Sequence, residues 1–425
     1  MRDSLRDPGN AGQASGLSDS RRRQTGSLSC LLACLVAALG LTACSPQQKP
    51  PAGPRDKALT VSQTNLFKTA FHLASAIPVE PHIKSRSLAQ RKVISSLIEA
   101  GCPGRAHELA GHIENWHRGA AYADLAVFYA ENGEPEYALD RLRDAGQVVS
   151  SITTWHRDRI LSRMGQAMEL LGDTQSVVRV TGQIEDWEAA KVHKIRSTQL
   201  PANQYQAHFE RLKKLIEGKD FDLKNQGLQG VTSLYERFYN DADRRREIAD
   251  ALQKNLSELA PIIKIDLFLA MADVAVSRGE QAVAMEWVQK SRELFENASW
   301  RARFGVPVAA RIAERAFEAG DAGLAKQMLD SAEATYRENE SEIINMFRAD
   351  TLIPLAEAFA GTGHNELALK VYKQAVEAAV INVNSRPRAE DLSAICASMA
   401  VQGREPDEAF WTRIREIQTN LGDPW

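Results

Sequence analysis

The chain has few residues of the kinds that cross-link a small secreted domain. It holds five cysteines, and aromatic residues make up 7% of its 425 residues. Three cysteines lie within the first 44 residues, which leaves Cys102 and Cys396 for the rest of the chain. A disulfide needs two Cα atoms within about 7 Å of each other. These two cysteines belong to the first and last of the repeats described below, so we predict that they lie far apart and form no disulfide.

Sequence signatures of catalysis are also missing. The chain has no glycine-rich phosphate loop, no Gly-x-Ser-x-Gly segment and no paired-cysteine metal spacing. The zinc-protease signature needs two histidines four residues apart on one helix face, whereas His107 and His112 are five apart. A spacing of five turns one imidazole away from the other. We therefore predict no catalytic residue, no metal site and no cofactor, and a protein that is not an enzyme.

The charge balance argues against a nucleic-acid-binding role. The formal net charge is −3, and residues 1–44 hold five basic and three acidic side chains, so the remainder of the chain is more acidic than the whole. Nucleic-acid-binding proteins instead present an excess of lysine and arginine. The composition, 44% hydrophobic and 25% charged, is typical of a soluble globular protein.

An apolar run over positions 28–41 follows three arginines and leads into Leu41-Thr42-Ala43-Cys44. It is too short to span a bilayer and has the length of a signal-peptide core. The four residues at its end resemble the lipobox of bacterial lipoproteins. That resemblance implies a lipid on the Cys44 thiol and a protein anchored to the envelope membrane, facing the periplasm. The alternatives are an ordinary signal peptide and an uncut anchor.

The segments on either side of this run complete the prediction for the N-terminus. Residues 1–20 form an atypical polar extension of the signal peptide, which is predicted over 1–44. Residues 45–58 hold four prolines and are predicted to be an extended tether. Ser45, directly after the cysteine, resembles outer-membrane sorting, so we predict the outer membrane rather than the inner one.

A turn frame recurs along the rest of the chain. A glycine is followed five residues later by a small or β-branched residue in six places: Gly101/Ala106, Gly133/Ala138, Gly172/Val177, Gly279/Ala284, Gly320/Ala325 and Gly363/Ala368. Gly403 begins a degenerate seventh copy. Glycine takes the left-handed conformation that ends a helix, and a small residue allows two helix axes to approach closely. With apolar residues at helical spacing on both sides, as in 120–145, the frame predicts a series of helical hairpins.

Seven residues before several of these glycines stands another small residue: Ala126, Gly165, Ala272, Ala313 or Ala356. This frame resembles the tetratricopeptide repeat, which has small residues at two close-approach points and an aromatic between them, as Tyr129 and Phe359 are here. The resemblance implies an all-α fold, a right-handed α-solenoid of helical hairpins. Most glycine spacings exceed the ~34 residues of that family, which longer helices or loops would explain.

The frame also divides the chain. Residues 59–200 are predicted to form N-terminal repeats and 261–425 C-terminal repeats. Residues 201–260 lose the glycines and are predicted to be an irregular helical insert. Apolar terminal repeats of a solenoid need covering, so helices near 59–77 and 407–421 are predicted to cap the two ends.

Three carboxylates occupy equivalent places in the C-terminal repeats. In tetratricopeptide arrays the residue after the first close-approach position resembles a groove-lining one, which here implies Asp273, Glu314 and Glu357. Stacked repeats would place them on one strip and favour a basic peptide or a polyamine-like ligand. The alternative is that they are exposed side chains paired with Arg311 or Arg315.

Tryptophans recur as well. The segments 111–116 and 182–187 match as Gly-x-Ile-Glu-(Asn/Asp)-Trp, and Trp155 and Trp300 lie in comparable loops. They form either a stacking platform for sugars or peptides or wedges between hairpins. The sequence thus predicts a lipid-anchored scaffold that binds protein or peptide partners. The alternative function is a cell-wall glycan- or peptide-binding accessory.

Overall fold

Paired helices make up the part of the chain that the computed structural model describes, residues 56–425. This range contains nineteen α-helices, two short 3-10 turns and no strand. The prediction of an all-α solenoid is confirmed. In chain order the helices are α1 Val61–Ala76, α2 Val79–Glu99, α3 Pro103–Ala110, α4 His117–Glu131, α5 Pro135–Val149, α6 His156–Leu170, α7 Thr174–Thr181, α8 Asp186–Gln199, α9 Tyr205–Ile216, α10 Phe221–Arg237, α11 Ala242–Lys254, α12 Pro261–Ser277, α13 Gln281–Glu296, α14 Ala302–Glu318, α15 Ala322–Asn339, α16 Asn345–Gly361, α17 Asn365–Val380, α18 Ser385–Val401 and α19 Glu408–Thr419.

Seven turn glycines each end the first helix of a hairpin, as predicted. All seven have φ between 61° and 95°. At Gly133 the amide of the next residue, Glu134, donates to the Tyr129 carbonyl at 2.9 Å and the Gly133 amide donates to Ala130 at 3.2 Å. This pair of hydrogen bonds satisfies carbonyls that the helix end leaves open, and it requires the left-handed glycine. Each small residue five positions later is fully buried.

The first helices of the hairpins form a closed series. They run α2, α4, α6, α8, α10, α12, α14, α16 and α18, each packed on the next, and α18 packs in turn on α2. The second helices make their main contacts with first helices. In a curved array the helices on the short-radius side crowd together and the others spread apart. The first helices therefore form an inner ring, the second helices form an outer ring, and the solenoid closes on itself.

Helix α1 completes this closure. It packs along α18, where the Gln63 side-chain amide donates to the Ala400 carbonyl at 2.9 Å and the Ser393 hydroxyl donates to the Ala70 carbonyl at 2.9 Å, so the two helices are antiparallel. Leu66 and Leu73 of α1 are fully buried. Helix α1 thus takes the place of the second helix of the last hairpin.

The prediction of two capped ends is therefore wrong. Helix α1 pairs with α18 instead of covering a free end, and α19 packs on α17. The ring also brings the first and last units, which hold Cys102 and Cys396, into contact, contrary to the prediction that these units lie far apart. Cys102 and Cys396 are nevertheless both free and buried.

The segment 201–260 continues the ring. Helix α10 packs between α8 and α12 in the inner series. Two turns without glycine replace the usual frame: one passes through Pro201 and a 3-10 turn, and the other spans 238–241. Two further inner helices, α8 and α10, accordingly lie between Gly172 and Gly279, and α9 packs on α10. The glycine frame by itself does not mark either of them.

Two arginines of the run 244–246 hold these irregular units together. The Arg244 guanidinium lies over the rings of Tyr205 and Phe238, at 4.7 Å and 4.9 Å from their centroids. Arg245 lies 4.7 Å from the Tyr239 ring centroid. Cations over aromatic faces stabilise such contacts. No helix between residues 56 and 425 combines the length and the apolar character that crossing a bilayer requires.

Candidate functional site

Charged side chains link neighbouring inner helices on one half of the ring. Asp124 of α4 accepts hydrogen bonds from Arg91 of α2 and Arg163 of α6, each at 2.8 Å. Glu169 of α6 and Arg196 of α8 form a two-point pair at 2.9 Å and 3.0 Å. Two-point arginine–carboxylate pairs are among the stronger ion pairs. Each of these carboxylates therefore has its cation within the ring.

The first residue of the predicted carboxylate strip, Asp273 of α12, forms an ion pair with Arg315 of α14. Asp266, two turns earlier on α12, pairs with Arg311 at 2.8 Å. For Asp273 the alternative interpretation, pairing with a nearby arginine, is what the structure shows.

Glu314 and Glu357 differ from Asp273. Burial raises the pKa of the Glu314 carboxyl to about 7. The positive charge of Arg315 lowers this pKa, and the negative charge of Glu357 raises it by a smaller amount. Burial also raises the pKa of Glu357, against the lowering effect of the Ser398 hydroxyl, which donates to it at 2.7 Å. Among residues 56–425 neither carboxylate has a cationic group within 4 Å, and Arg315 and Arg311 act on Glu314 only from a greater distance. Two neighbouring carboxyls of the inner face are thus short of a cation.

This arrangement gives a pH dependence with a defined sign. The pKa of Glu314 is about 7 in the folded chain and 4.5 ordinarily, so the unfolded chain loses this proton first as the pH rises. The free energy of unfolding is therefore expected to fall between about pH 4.5 and pH 7. Glu314→Gln cannot ionise and should be more stable than the natural chain at pH 8 by about 3 kcal/mol, with little difference at pH 4. Urea unfolding at both pH values measures this difference.

The control is Glu293→Gln, which changes an exposed carboxylate of the outer helix α13. It should leave the pH dependence as it is. Equal pH profiles for the natural chain and Glu314→Gln would contradict the raised pKa of Glu314.

A cavity of about 620 Å³ opens beside the strip, on the inner face between α8, α10 and α12. Its size is that of a small-ligand or side-chain pocket. Asp273 lies on its wall, and burial lowers the pKa of Lys194 on the opposite wall. Hydroxyl and amide groups alternate there with apolar side chains: Thr198, Asn225, Gln229, Thr232, Ser233 and Ser277, with Ile195, Ile263, Leu267 and Val274.

The sequence interpretation missed this cavity because it lies where the glycine frame is lost. A signal was present: Asn225, Gln229, Thr232 and Glu236 recur at helical spacing within 221–237, which gives that helix a polar stripe. A polar stripe on an inner helix must face either solvent or a ligand.

The tryptophans divide into two groups. Trp300 packs in a joint, where its Nε1–H donates to the Phe295 carbonyl at 2.9 Å, and Trp116 is partly buried. Trp155 and Trp187, at the starts of α6 and α8, are 55% and 38% exposed. Their rings nevertheless have cationic neighbours: Arg159 lies 4.4 Å from the Trp155 centroid and Lys191 lies 4.5 Å from that of Trp187.

The two histidines that are spaced five residues apart, His107 and His112, have separate partners. His107 Nε2 lies 3.4 Å from Asp144 Oδ2, and the His112 ring lies 6.3 Å from the Phe71 ring. No group of three metal-ligating side chains is found among the described residues. The predicted lipidation site, Cys44, and the tether up to residue 55 lie outside the described residues.

One serine–histidine pair was not anticipated. Ser197 Oγ lies 2.8 Å from His208 Nε2, and both side chains are buried. Burial lowers the pKa of His208 to about 4. A nucleophile must reach a substrate, whereas Ser197 is fully covered, so this hydrogen bond joins α8 to α9 instead.

Comparisons with known proteins give no family. No protein-family model matches the chain, and no curated protein matches it. Among solved structures it is similar to one described as "Circular tandem repeat protein with novel repeat topology and enhanced subunit contact surfaces". The identity is 17%, the match covers 84% of this chain and 96% of that one, and the TM-score is 0.28. The closed ring is shown by the helix contacts of this chain, and the tetratricopeptide resemblance is supported only as far as a helical-repeat fold.

Proposed function

We propose that the protein is a non-catalytic binding scaffold whose ring holds a basic segment of a protein or peptide partner on its inner face. Helical-repeat arrays present extended surfaces made of equivalent positions from successive units. Here Asp273, Glu314 and Glu357 occupy such positions, and Asp273 lies on the wall of a cavity of about 620 Å³.

The observation that carries this proposal is the cation shortage at Glu314 and Glu357. Elsewhere on the inner face carboxylates such as Asp124 and Glu169 are matched by arginines. At Glu314 burial and a neighbouring carboxylate raise the pKa to about 7, so a bound ammonium or guanidinium group would gain two partly buried acceptors. The apolar and amide-bearing cavity next to Asp273 would take the flanking residues of the segment.

The proposed location is the bacterial envelope. The lipobox-like end of the signal sequence supports a lipid on Cys44, and the proline-rich residues 45–58 would tether the ring to the membrane on the periplasmic side. The outer membrane is proposed over the inner one on the strength of Ser45. Radiolabelled palmitate should mark the chain and fail to mark Cys44→Ser.

The binding proposal predicts the effect of removing the strip. The body of the chain, residues 45–425, should bind a fluorescein-labelled peptide of alternating lysine and alanine. The variant Asp273→Asn, Glu314→Gln and Glu357→Gln should bind it at least tenfold more weakly, because the acceptors lose their charge. Fluorescence anisotropy measures the affinity, and circular dichroism should show unchanged helicity.

The matched control removes three carboxylates from outer helices: Glu293→Gln, Asp330→Asn and Glu366→Gln. It changes the net charge equally and should keep the affinity of the natural chain. If the two triple variants bound equally well, attraction by net charge alone would account for the capture and the inner-face site would be excluded.

The other candidate, a cell-wall glycan- or peptide-binding accessory, has less support. Sugar rings stack on open aromatic faces, whereas His156 and Arg159 contact the Trp155 ring and Lys191 lies over Trp187. A shift of tryptophan fluorescence on adding cell-wall fragments would favour this second function. Silent fluorescence together with a co-purified protein partner would favour the first.

A further inference from the structure

Exposed apolar side chains concentrate at one end of the inner helices. Thirteen large apolar side chains are well exposed among residues 56–425, and eight of them lie at or just before the start of an inner helix. Five of the eight belong to three successive units, at the starts of α14, α16 and α18. They form what we term the three-loop patch: Phe304, Ile344, Met346, Ile381 and Val383. Val383 is 78% exposed and Ile344 is 65% exposed.

These starts lie on one rim of the ring. Asp266 pairs with Arg311, and further along both helices Asp273 pairs with Arg315, so α12 and α14 run parallel. Successive hairpins repeat this direction, which puts the starts of the inner helices on one rim and the turn glycines on the other. Side chains that project from neighbouring loops of one rim face the same side of the ring. Exposed apolar groups gathered on one side mark a contact with a membrane or a partner.

The charges of the patch point to a particular surface. The loops and helix starts of the patch, 297–304, 340–348 and 380–388, contain five arginines and two carboxylates, Glu340 and Glu342, and Arg348 lies 3.8 Å from Glu340. Arg303 lies over the Phe304 and Phe347 rings, and Arg388 donates to the carbonyls of Asn382 and Val383. These two guanidiniums therefore remain beside the patch without a carboxylate partner among the described residues. Apolar side chains flanked by arginines suit the boundary between acyl chains and anionic headgroups.

We propose that the three-loop patch binds the surface of a bilayer that contains anionic phospholipid. Phe304, Ile344, Met346, Ile381 and Val383 enter the region of the headgroups and upper acyl chains, and the adjacent arginines bind lipid phosphates. This membrane contact is separate from the lipid proposed on Cys44, and it does not require that modification. Binding by one acyl chain is marginal, so a second contact of this kind adds to the hold on the membrane.

The position of the chain's start allows both contacts. The Lys57 amide donates to the Gly101 carbonyl at 2.9 Å, so the described chain begins at the glycine rim, opposite the patch. Inner helices of 17 residues, such as α14, are about 25 Å long. Eleven residues separate Cys44 from Asp56, and such a segment can extend to about 40 Å at most. A chain of that length can pass the height of the ring.

The experiment uses residues 45–425, which include the whole closed ring and lack Cys44. Sedimentation is measured with vesicles that mix phosphatidylglycerol with an excess of phosphatidylcholine, and with vesicles of phosphatidylcholine alone. The natural sequence should bind the first vesicles and bind the second at least fivefold more weakly. The variant Ile344→Ser, Ile381→Ser and Val383→Ser should lose at least tenfold in partitioning to the anionic vesicles.

The matched control replaces three apolar side chains that are similarly exposed elsewhere: Val61→Ser, Leu139→Ser and Val178→Ser. It removes similar exposed apolar area and should bind as the natural sequence does. All six positions are at the surface, so gel filtration and circular dichroism should show folded rings.

A second readout locates the contact. Val383→Cys, labelled with a nitrobenzoxadiazole probe, should shift its emission to the blue on adding anionic vesicles, whereas labelled Val178→Cys should not. Cys102 and Cys396 are fully buried and stay unlabelled. The proposal is overturned if the natural sequence binds neither vesicle or if both triple variants bind alike. It is also overturned if no vesicle is bound and the patch variant loses a protein partner that crosslinks to the natural sequence.

Discussion

A body that lacks α1, beginning at Pro78, is expected to open into a curved array with a larger radius of gyration. In the closed ring α1 packs along α18 and α2, with Leu66 and Leu73 fully buried. Without it the last hairpin has no second helix, and the α18 side chains that pack on α1 become exposed. Small-angle X-ray scattering measures the radius of gyration. Urea unfolding should be less cooperative than that of the closed ring.

The same interface predicts the effect of a single substitution. Leu73→Ala in the full body should lower the free energy of unfolding by about 3 kcal/mol, since a fully buried leucine is lost and a cavity remains. The contact between α1 and α18 should break before the other hairpins unfold, because its loss opens the ring without disturbing them.

Adding the missing helix in trans supplies the control. A synthetic peptide of residues 58–77 should bind the opened body and restore the compact radius, whereas a peptide with Leu66→Asp and Leu73→Asp should not. An unchanged radius in the shortened body would contradict the role of α1. It would mean that α19, which follows α18 along the chain, can move from α17 to complete the hairpin.

The hairpins and their turns could be predicted because they depend on local chemistry. A helix that ends with a left-handed residue needs glycine there, so the seven glycines were visible in the sequence. Closure could not be predicted in the same way. The curvature of the array is the sum of small rotations between units, and no single unit encodes whether α18 meets α1 or solvent.

The candidate site was predictable in part for a similar reason. The register of the repeats placed Asp273, Glu314 and Glu357 on inner helices. Their different states depend on neighbouring helices: Arg315 pairs with Asp273, and Ser398 of α18 donates to Glu357. The cavity beside Asp273 could not be predicted, because one of its walls is α10. The unit of α10 has no turn glycine and was therefore interpreted as an insert.

Gly227→Val is expected to destabilise the ring by about 3 kcal/mol, because α10 approaches α9 through glycine. A Cβ atom at Gly227 would lie 2.8 Å from Ile216 Cγ2 and 2.9 Å from Leu215 Cβ, and one at Gly230 would lie 2.8 Å from Leu212 Cδ2. Contacts this short force the two helices apart or the side chains out of their rotamers. Urea unfolding gives the free energy, and Gly227→Ala should show a smaller loss of about 2 kcal/mol.

Gly146→Ala in α5 is the matched control, since it also replaces a glycine inside a helix. The nearest atom to its new Cβ is Met164 Cε at 3.9 Å, so the helix gains stability without a clash, by about 0.5 to 1 kcal/mol. The regular hairpins approach through alanines at fixed distances from a turn glycine. Opposite signs at positions 227 and 146 would show that the irregular units keep the same close approach and supply it from within the helix. Stabilisation by both substitutions would instead mean that a side chain fits between α9 and α10, and that the packing of these two helices does not depend on small residues.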